Sequence, residues 1–306
     1  MWIATILGFG GAWDWRLDLF NHARPICFFM SAVLFFLSLL LKNKLLSSLN
    51  FAFLLLNFSF VSFLYFPLPK NKDILQRGKS FSLFQYNVCA PSHNRTELIK
   101  YFNTNHPDIV SLEECDQLCF TSLKKGGIIS RYPFIVHQKP LMKRLLLLSK
   151  FPLIEEAPFK FTADPAILRV KIKINDSWVH LLMMHSTRPS SGSNYYKNQV
   201  EQFDKIAELV KEVKCEPFIM IGDLNTTPWG YSFKRLLRKT GLKNSMDGFG
   251  WQATFPQFVN IPKRTTVIPF LPIDHVLVSK EILVLNRKTG SDLSSDHLSV
   301  IVELAL

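Results

Sequence analysis

The sequence predicts an α/β domain, a sandwich of two β-sheets, which follows an N-terminal hairpin of transmembrane helices. Two long apolar runs occupy most of the first 69 residues. From residue 80 onward, short apolar stretches alternate with amphipathic ones, which is typical of alternating strands and helices. Several apolar stretches end in Asn, Glu, Asp or His. These observations divide the chain into a membrane-anchoring helical segment (residues 1–69), a polar and basic linker (70–79) and an α/β domain (80–306).

The two apolar runs predict membrane-spanning helices. Pro25–Leu41 and Leu45–Pro69 contain no charged residue, and Lys42-Asn43-Lys44 separates them. At about 1.5 Å per helical residue, the second run is long enough for a hydrocarbon layer about 30 Å thick, and the first is near the lower limit. The alternative is a buried helical pair in a soluble fold, although helices of globular proteins normally present a polar face. Residues 1–12 are apolar but too short to span a bilayer.

Polar residues of the hairpin predict its packing and its orientation. Asn50 and Asn57 lie in the second run, where they could join the two helices by hydrogen bonds. Lys42 and Lys44 mark one end of the hairpin. The other end is marked by a larger basic set, namely Arg16, Arg24, Lys70, Lys72, Arg77 and Lys79. The positive-inside rule therefore favours a multi-pass protein of the inner membrane with its C-terminal domain in the cytoplasm.

The composition bounds the partners of the chain. The 306 residues are 48% hydrophobic and carry a formal net charge of +12. Only four basic and two acidic residues precede position 70, so most of this charge belongs to the C-terminal part. A basic domain suits a polyanionic partner such as nucleic acid or anionic lipid, and a merely solvated basic surface is the open alternative. No feature indicates an obligate protein partner.

The five cysteines match no zinc-binding pattern. They are Cys27, Cys89, Cys115, Cys119 and Cys215. The count is odd, no Cys-x-x-Cys pair occurs and no cluster of histidines lies near them. We expect free thiols, which argues mildly against an oxidising compartment.

After the linker, the apolar pattern predicts strands and helices in alternation. The predicted strands are Ser80–Val88, Asp108–Leu112, Leu145–Leu148, Ile167–Ile172, Trp178–Met184, the run from Phe218, Ile273–Val278, Ile282–Asn286 and Leu298–Leu304. The predicted helices are Arg95–Phe102, Asn198–Val213 and Ser232–Lys239. The second of these helices places its apolar residues on one face, as expected for a helix that covers a sheet.

The strand that begins at Phe218 organises the rest of the domain. It breaks at Gly222 and leads into Asp223 and Asn225. Strand side chains alternate, so residues two apart point the same way, and a carboxylate and a carboxamide would leave the strand end side by side. Such a pair suits an acceptor and a donor at one reacting phosphate. The open alternative is an ordinary turn in which Asp and Asn bond their own backbone.

Six further polar residues lie at the ends of predicted strands, at five places in the sequence. They are Asn87, Glu114, His185, Asp274 and the pair Asp296-His297. Each residue alone has an ordinary structural explanation, such as a helix-terminal charge or a turn cap. In a sandwich of two sheets, however, strand ends on one rim converge. Their joint occurrence therefore predicts one site that is built from six segments.

These residues resemble a known set of motifs. The matching stretches are Tyr86-Asn87-Val88, Pro107–Glu114, Leu148–Leu153, His185, Asn198-Gln199, Gly222–Asn225, Ile273–Val276 and Ser295–His297. In this order they resemble the endonuclease/exonuclease/phosphatase superfamily, whose members include deoxyribonuclease I, and the match runs from about Ser80 to Leu306. The membrane-anchored arrangement resembles the bacterial YafD-like branch of that superfamily.

The resemblance implies a fold and a metal. The fold would be a four-layer sandwich of two mainly antiparallel β-sheets flanked by helices. The metal would be a divalent cation, Mg²⁺ with Mn²⁺ possible, because a few hard carboxylate and amide oxygens suit Mg²⁺. Glu114 would be its principal ligand, with Asn87 nearby and Asp296 assisting.

The resemblance also implies the catalytic roles. Asp223 would orient or deprotonate the attacking water, and Asn225 would hold the phosphate. His297 would bind the phosphate or move a proton, with Asp274 fixing its ring. His185 would contact the phosphate from the opposite wall. The expected reaction is metal-dependent hydrolysis of a phosphoester without a covalent enzyme intermediate.

The sequence departs from the family pattern at two places, and both its substrate and its function have open alternatives. The family usually has Gln before its metal-binding Glu, whereas this chain has Glu113, which could tighten metal binding or point into solvent. His185 leads into Ser-Thr-Arg188-Pro, which lacks the tyrosine-bearing element of the abasic-site nucleases, and Arg188 is a candidate for anion binding. The substrate could be nucleic acid, phospholipid or an inositol phosphate. The alternative function is a catalytically silent, membrane-tethered binding module on the same scaffold.

Overall fold

A computed structural model describes residues 1–66, 78–89, 95–138, 144–156, 166–213, 216–260 and 264–306. The first of these ranges is entirely helical apart from short turns. The others form an α/β sandwich on which the helical segment docks. Residues 70–77 of the predicted linker lie outside the described residues, as does Cys215.

The N-terminal segment contains two long helices preceded by two short ones. The helices are α1 (Trp2–Leu7), α2 (Trp15–Leu19), α3 (Arg24–Leu40) and α4 (Lys44–Val61). Short 3₁₀ turns follow α1, α2 and α4, at Gly8–Ala12, Phe20–Ala23 and Ser62–Leu64. Among the described residues, the helical stretches Trp15–Leu40 and Lys44–Leu64 are long and apolar enough to cross a membrane, by length and composition.

The α3–α4 hairpin is apolar outside and polar inside. Phe36, Leu40 and Leu55 are more than half exposed, whereas Asn50 and Asn57 are buried. Only 28% of the most apolar part of Trp15–Leu40 is buried, and only 17% of the corresponding part of Lys44–Leu64. A core helix of a soluble protein is mostly buried, so the low burial of these two stretches is weak evidence for a membrane anchor.

Hydrogen bonds from the two asparagines join the helices, as the sequence predicted. Asn50 donates from Nδ2 to the carbonyl of Leu34 at 3.2 Å, and Asn57 donates to Ser31 Oγ at 3.1 Å. Asn57 also contacts Thr5 of α1 at 3.2 Å. Helix α1 therefore packs beside the hairpin rather than extending it, and this is where the apolar residues 1–12 lie.

The described residues after position 77 form two six-stranded sheets and one short hairpin. The strands of the first sheet are β1 (Ser80–Asn87), β2 (Ile109–Glu113), β3 (Phe134–Gln138), β4 (Leu145–Ser149), β13 (Leu283–Thr289) and β14 (Val300–Ala305). The strands of the second sheet are β5 (Leu153–Glu155), β6 (Ala166–Ile174), β7 (Ser177–His185), β8 (Phe218–Asp223), β9 (Lys243–Asn244) and β12 (Asp274–Val278). The first sheet has the order β13-β14-β1-β2-β4-β3 and the second has the order β5-β6-β7-β8-β12-β9. The hairpin pairs β10 (Phe258–Asn260) with β11 (Arg264–Thr266).

Helices cover the outer face of each sheet, which gives four layers. They are α5 (Thr96–Thr104), α6 (Gln117–Lys125), α7 (Ser193–Glu212) and α8 (Tyr231–Thr240). The first two pack their apolar residues on the first sheet, and the last two pack on the second. A third apolar cluster fills the space between the sheets. The predicted two-sheet sandwich is confirmed; each sheet is mixed, because β1–β2 and β7–β8 pair in parallel and the other neighbours are antiparallel.

This topology gathers strand ends at one rim. Because β1 and β2 are parallel, Asn87 and Glu113 are register partners at the ends of their strands. In the second sheet, β7 and β8 are parallel and end at His185 and Asp223. Strand β12 runs antiparallel to β8, so it begins where β8 ends, with Asp274 opposite Asp223. Asn87, His185, Asp223 and Asp274, all residues with polar side chains, therefore reach one edge of the sandwich.

Candidate active site

Asp223 is the central carboxylate of this edge. It ends β8 and is 2% exposed. The preceding residue must be glycine, because Gly222 has φ 140° and a Cβ there would collide with the carbonyl of Met184 in β7. The close approach of the two parallel strands brings Asp223 beside His185, whose Nε2 lies 3.6 Å from Asp223 Oδ2.

Asn225 lies next to Asp223, but by a turn rather than by strand alternation. Strand β8 ends at Asp223, and Asn225 adopts a left-handed φ of 50°. Its backbone N–H donates to Asp223 Oδ1 at 2.8 Å, which is the side-chain-to-backbone bond of an Asp turn. Its Nδ2 donates to the carbonyl of Ser186 at 3.0 Å. The expected proximity is present, and the reason given for it from strand periodicity is wrong.

His297 is held by an aspartate of the other sheet. Its Nδ1 lies 2.8 Å from Asp274 Oδ2, and its Nε2 lies 3.7 Å from Asp223 Oδ2. The ring is 3% exposed and packs on Phe255 with ring centroids 4.9 Å apart. Asp274 therefore fixes the ring orientation, and the other nitrogen faces Asp223. His297 lies in the loop just before β14 rather than on the strand itself.

Asn87 and Glu114 complete the edge on the side of the first sheet. Asn87 donates from Nδ2 to Asp223 Oδ2 at 3.2 Å and to Glu114 Oε1 at 3.3 Å. Both carboxylates thus lie within hydrogen-bond distance of one nitrogen atom. Glu114 has a left-handed φ of 57°, which ends β2 and turns its side chain away from the strand direction.

Cys89 lies beside Asp296 and Glu114. Burial and the negative charge of Asp296, together with that of Glu114, raise the pKa of the Cys89 thiol to about 11. Cys89 also donates its backbone N–H to Asn87 Oδ1 at 3.0 Å. The sequence identified Cys89 only as a free thiol. The structure places it against the residues expected to bind metal.

Glu113, which departs from the family pattern, does not point into solvent. It is fully buried between the sheets, where Oε2 accepts from Gln85 Nε2 at 2.8 Å and Oε1 accepts from Ser111 Oγ at 3.1 Å. Burial, together with the nearby charge of Asp274, raises its pKa well above the usual range. The reason is the strand register: Glu113 is the last residue of β2, and only Glu114 turns onto the rim.

Burial and neighbouring charges set the protonation of the central groups. Burial raises the pKa of Asp223, although the charges of His297 and His185 oppose the rise. Burial also acts to raise the pKa of Asp274, but its contact with His297 outweighs burial and lowers it. Burial lowers the pKa of His297, while Asp274, Asp223 and Asp296 raise it, with a net increase to about 10. At neutral pH the site therefore contains an imidazolium between two carboxyl groups.

The donor set fits a divalent cation. Glu114, Asp223, Asp274 and Asp296 bring four carboxyl groups to one rim, and hard oxygen donors suit Mg²⁺ or Mn²⁺. Asp223, Asp274 and His297 also offer ligand atoms within 4.8 Å of one another. In that trio, however, Nδ1 of His297 is engaged by Asp274. The rim around Glu114 is the better ligand set, and Asn87 would have to turn its oxygen inward to join it.

Sequence reasoning missed several residues that support the site. Gln85 donates to both Glu113 and Asp274, and its position within an apolar strand was the available signal. Ser295 donates to the carbonyl of Asn87 at 2.7 Å and so ties the His297 loop to β1. Phe255, which packs on His297, carries no signal that sequence alone could identify. Arg188, the candidate anion-binding residue, lies at the edge of a neighbouring cavity.

Comparison with a known protein family covers the same residues that form this site. The profile of the endonuclease/exonuclease/phosphatase family matches residues 84–297. That range contains every predicted site residue. A search of curated proteins finds no significant match.

Solved structures share the fold at low sequence identity. An endonuclease/exonuclease/phosphatase family protein from Bacteroides thetaiotaomicron is 18% identical, with a TM-score of 0.57, and the match covers 75% of this chain and 99% of that one. A truncated TDP2 from Caenorhabditis elegans is 16% identical (TM-score 0.58; 74% and 98% covered). Sphingomyelinase C from Streptomyces griseocarneus is 16% identical (TM-score 0.55; 74% and 99% covered). At these identities the likeness concerns the fold alone.

Proposed function

Because this chain belongs to the endonuclease/exonuclease/phosphatase family, we propose that it is a divalent-metal-dependent hydrolase of phosphoester bonds. One observation carries the proposal. A continuous series of contacts runs from Glu114 through Asn87 and Asp223 to His297 and Asp274. These residues come from both sheets and span more than 200 positions of the sequence. A scaffold kept only for binding would have no need of this series.

The rim residues divide into a metal side and a catalytic side. Glu114, with Asp296 and with Asn87 if its amide turns, would hold Mg²⁺ or Mn²⁺, which when bound supplies positive charge to the phosphate oxygens. The catalytic side is formed by Asp223, His297 and their neighbours. The Asn87 amide links the two sides, because its Nδ2 donates to both Glu114 and Asp223.

On the catalytic side, Asp223 orients the attacking water and takes its proton. Its raised pKa makes its carboxylate a stronger base than an exposed aspartate. His297, held as a cation by Asp274, binds a phosphate oxygen from the side of the first sheet. His185 and Asn225 bind the phosphate from the second sheet. The five side chains thereby orient one water against one phosphorus atom, which is where most of the rate gain in phosphoryl transfer arises.

The N-terminal segment would hold this site at a membrane. The outward apolar face and inward asparagines of the α3–α4 hairpin support a two-helix anchor, as in the YafD-like branch. Both ends of the hairpin that continue into other elements, at Arg24 and Val61, lie on the side of the α/β domain. The positive-inside rule favours the cytoplasm for this side.

The test uses the full-length protein in detergent with bis(p-nitrophenyl) phosphate, a small soluble phosphodiester. We expect turnover that requires Mg²⁺ or Mn²⁺ and is abolished by EDTA. Asp223→Asn should lower kcat by about 10²–10⁴-fold, the range for loss of a general base. Asp176→Asn, on the exposed β6–β7 turn, is the matched control and should retain full activity. If Asp223→Asn also retains full activity, the assignment of Asp223 as the general base fails. If the unmodified protein shows no metal-dependent turnover, the hydrolase proposal fails and the silent binding module remains.

A further inference from the structure

A cavity lies between the N-terminal segment and the catalytic rim. Its volume is about 390 Å³, within the usual range of ligand pockets. The N-terminal segment supplies one wall with Leu19, Ala23 and Ile26, and the domain supplies the other with Phe270 and Leu271. Most of the exposed lining is therefore apolar.

Specific contacts hold the N-terminal wall in place. His22 Nδ1 lies 2.8 Å from Thr227 Oγ1, and both residues line the cavity. The carboxylate of Asp18 accepts from the backbone N–H of Tyr231 at 2.8 Å, at the start of α8. Trp229 is fully buried and donates to the carbonyl of Phe60 at 2.7 Å. The N-terminal wall is therefore fixed to the domain by specific side-chain and backbone contacts.

The cavity adjoins the catalytic residues and includes one of them, Asn225, in its lining. Asn225 lines it and bonds Asp223 through its backbone N–H. Phe255 also lines it and packs on the ring of His297. A molecule in the cavity would thus lie beside the position where the phosphate is expected, with its remaining part between the apolar walls.

The position of the cavity relative to the hairpin indicates the chemistry of its occupant. Ala23 and Ile26 lie at the beginning of α3, at the domain end of the apolar hairpin. In a membrane this level is the interface, where headgroup phosphates meet acyl chains. A nucleic acid, by contrast, requires rows of cationic side chains along its backbone. Arg188 is the one arginine or lysine among the cavity residues that the structure describes.

We propose that this cavity binds the apolar part of a membrane phospholipid, whose headgroup phosphate then lies at the catalytic rim. The inference rests on the proposed phosphoester hydrolysis and adds the substrate class. The substrate enters from the bilayer, and the N-terminal hairpin forms half of its binding site as well as anchoring the domain.

The experiment compares a lipid with a soluble substrate in the full-length protein. One probe is nanodiscs of phosphatidylethanolamine, phosphatidylglycerol and phosphatidylcholine, with headgroup release measured by mass spectrometry. The other is bis(p-nitrophenyl) phosphate. Ile26→Trp and Leu271→Trp fill the cavity from opposite walls, and we expect the ratio of lipid to soluble turnover to fall at least tenfold. Val33→Trp, two helical turns along the same face of α3 and half exposed, should leave both rates unchanged.

A binding measurement separates this inference from the proposed function. Native mass spectrometry of the detergent-purified protein counts bound phospholipid, and both cavity variants should lose it while Val33→Trp retains it. Selective loss of lipid binding without turnover by the unmodified protein would support the cavity and overturn the hydrolase proposal. An unchanged turnover ratio and unchanged lipid binding in both folded cavity variants would overturn the cavity proposal. Turnover of plasmid DNA or RNA with no lipid turnover or binding would also overturn it.

Discussion

Asp274 and His297 come from different sheets of the sandwich and meet at 2.8 Å, from Oδ2 to Nδ1. Asp274 begins β12 of the second sheet, and His297 precedes β14 of the first. The contact can form only when the two sheets are packed face to face. The orientation of the histidine ring, and with it the direction of Nε2 toward Asp223, is therefore a consequence of the closed sandwich.

The first prediction concerns this pair. Asp274→Asn should lower kcat by about 10²–10⁴-fold, because the ring loses the partner that fixes its orientation and its charge. The carboxylate of Asp274 helps to raise the pKa of His297 to about 10, so the substitution should lower that pKa. The cationic form is then lost at lower pH. The alkaline limb of the pH–rate profile should move toward neutrality, and an unmoved limb would contradict the assignment.

The second prediction compares neighbouring glutamates. Glu114→Gln should lower activity by about 10²–10⁴-fold, because removing a metal-binding charge costs several kcal/mol of stabilisation. Glu113→Gln should change kcat by less than about tenfold, or 1.4 kcal/mol, because its buried side chain with a raised pKa resembles a neutral amide. Isothermal titration with Mn²⁺ provides the second measurement: the apparent Kd should rise in Glu114→Gln alone. Equal losses in both variants would place Glu113 at the metal.

The difference between Glu113 and Glu114 shows which parts of the candidate site could be predicted from the sequence and which could not. The order of polar strand ends predicted Asn87, Glu114, Asp223, Asp274 and His297 together, because parallel neighbours end at one edge and the sandwich aligns both edges. Which of two adjacent glutamates faces the rim depends on one left-handed residue, and no local pattern predicts it.

Sequence analysis also missed helices and strands that lack a strong hydrophobic periodicity. Sequence reasoning did not identify helix α6, strand β3 or strand β5. The first is short and begins with a capping Asp116 rather than an apolar repeat. The two strands alternate poorly, because β3 is an edge strand and β5 has only three residues. The cavity depends on contacts such as His22–Thr227, which join residues 205 positions apart, and periodicity carries no information about such pairs.

The third prediction concerns stability and pH. Burial raises the pKa of Asp247 from 3.8 to about 7, against the opposing charge of Arg287, and its Oδ1 has no hydrogen-bond partner in the described structure. A raised pKa means that the protonated form stabilises the fold. That contribution is complete below about pH 4 and is lost as the pH rises through about 7. Asp247→Asn should therefore stabilise the protein at pH 8, on the order of 1–3 kcal/mol, and have little effect at pH 4.5. Thermal unfolding at both pH values measures this, and an equal effect at both would refute it.

The fourth prediction concerns the docking of the N-terminal segment. Trp229 packs in an apolar cluster with Val61, Leu64 and Met246 and donates to the carbonyl of Phe60. Trp229→Phe keeps an aromatic ring but leaves that carbonyl without its donor, which should cost about 1–3 kcal/mol. Thermal unfolding in detergent should show the loss. Trp178→Phe, a partly exposed position in β7, should show much less. The N-terminal wall of the cavity depends on this docking of the N-terminal segment against Trp229. Trp229→Phe should therefore also weaken phospholipid binding, measured by native mass spectrometry. If Trp229→Phe is destabilised but binds lipid as well as the unmodified protein, the Trp229 contacts stabilise the fold without shaping the cavity.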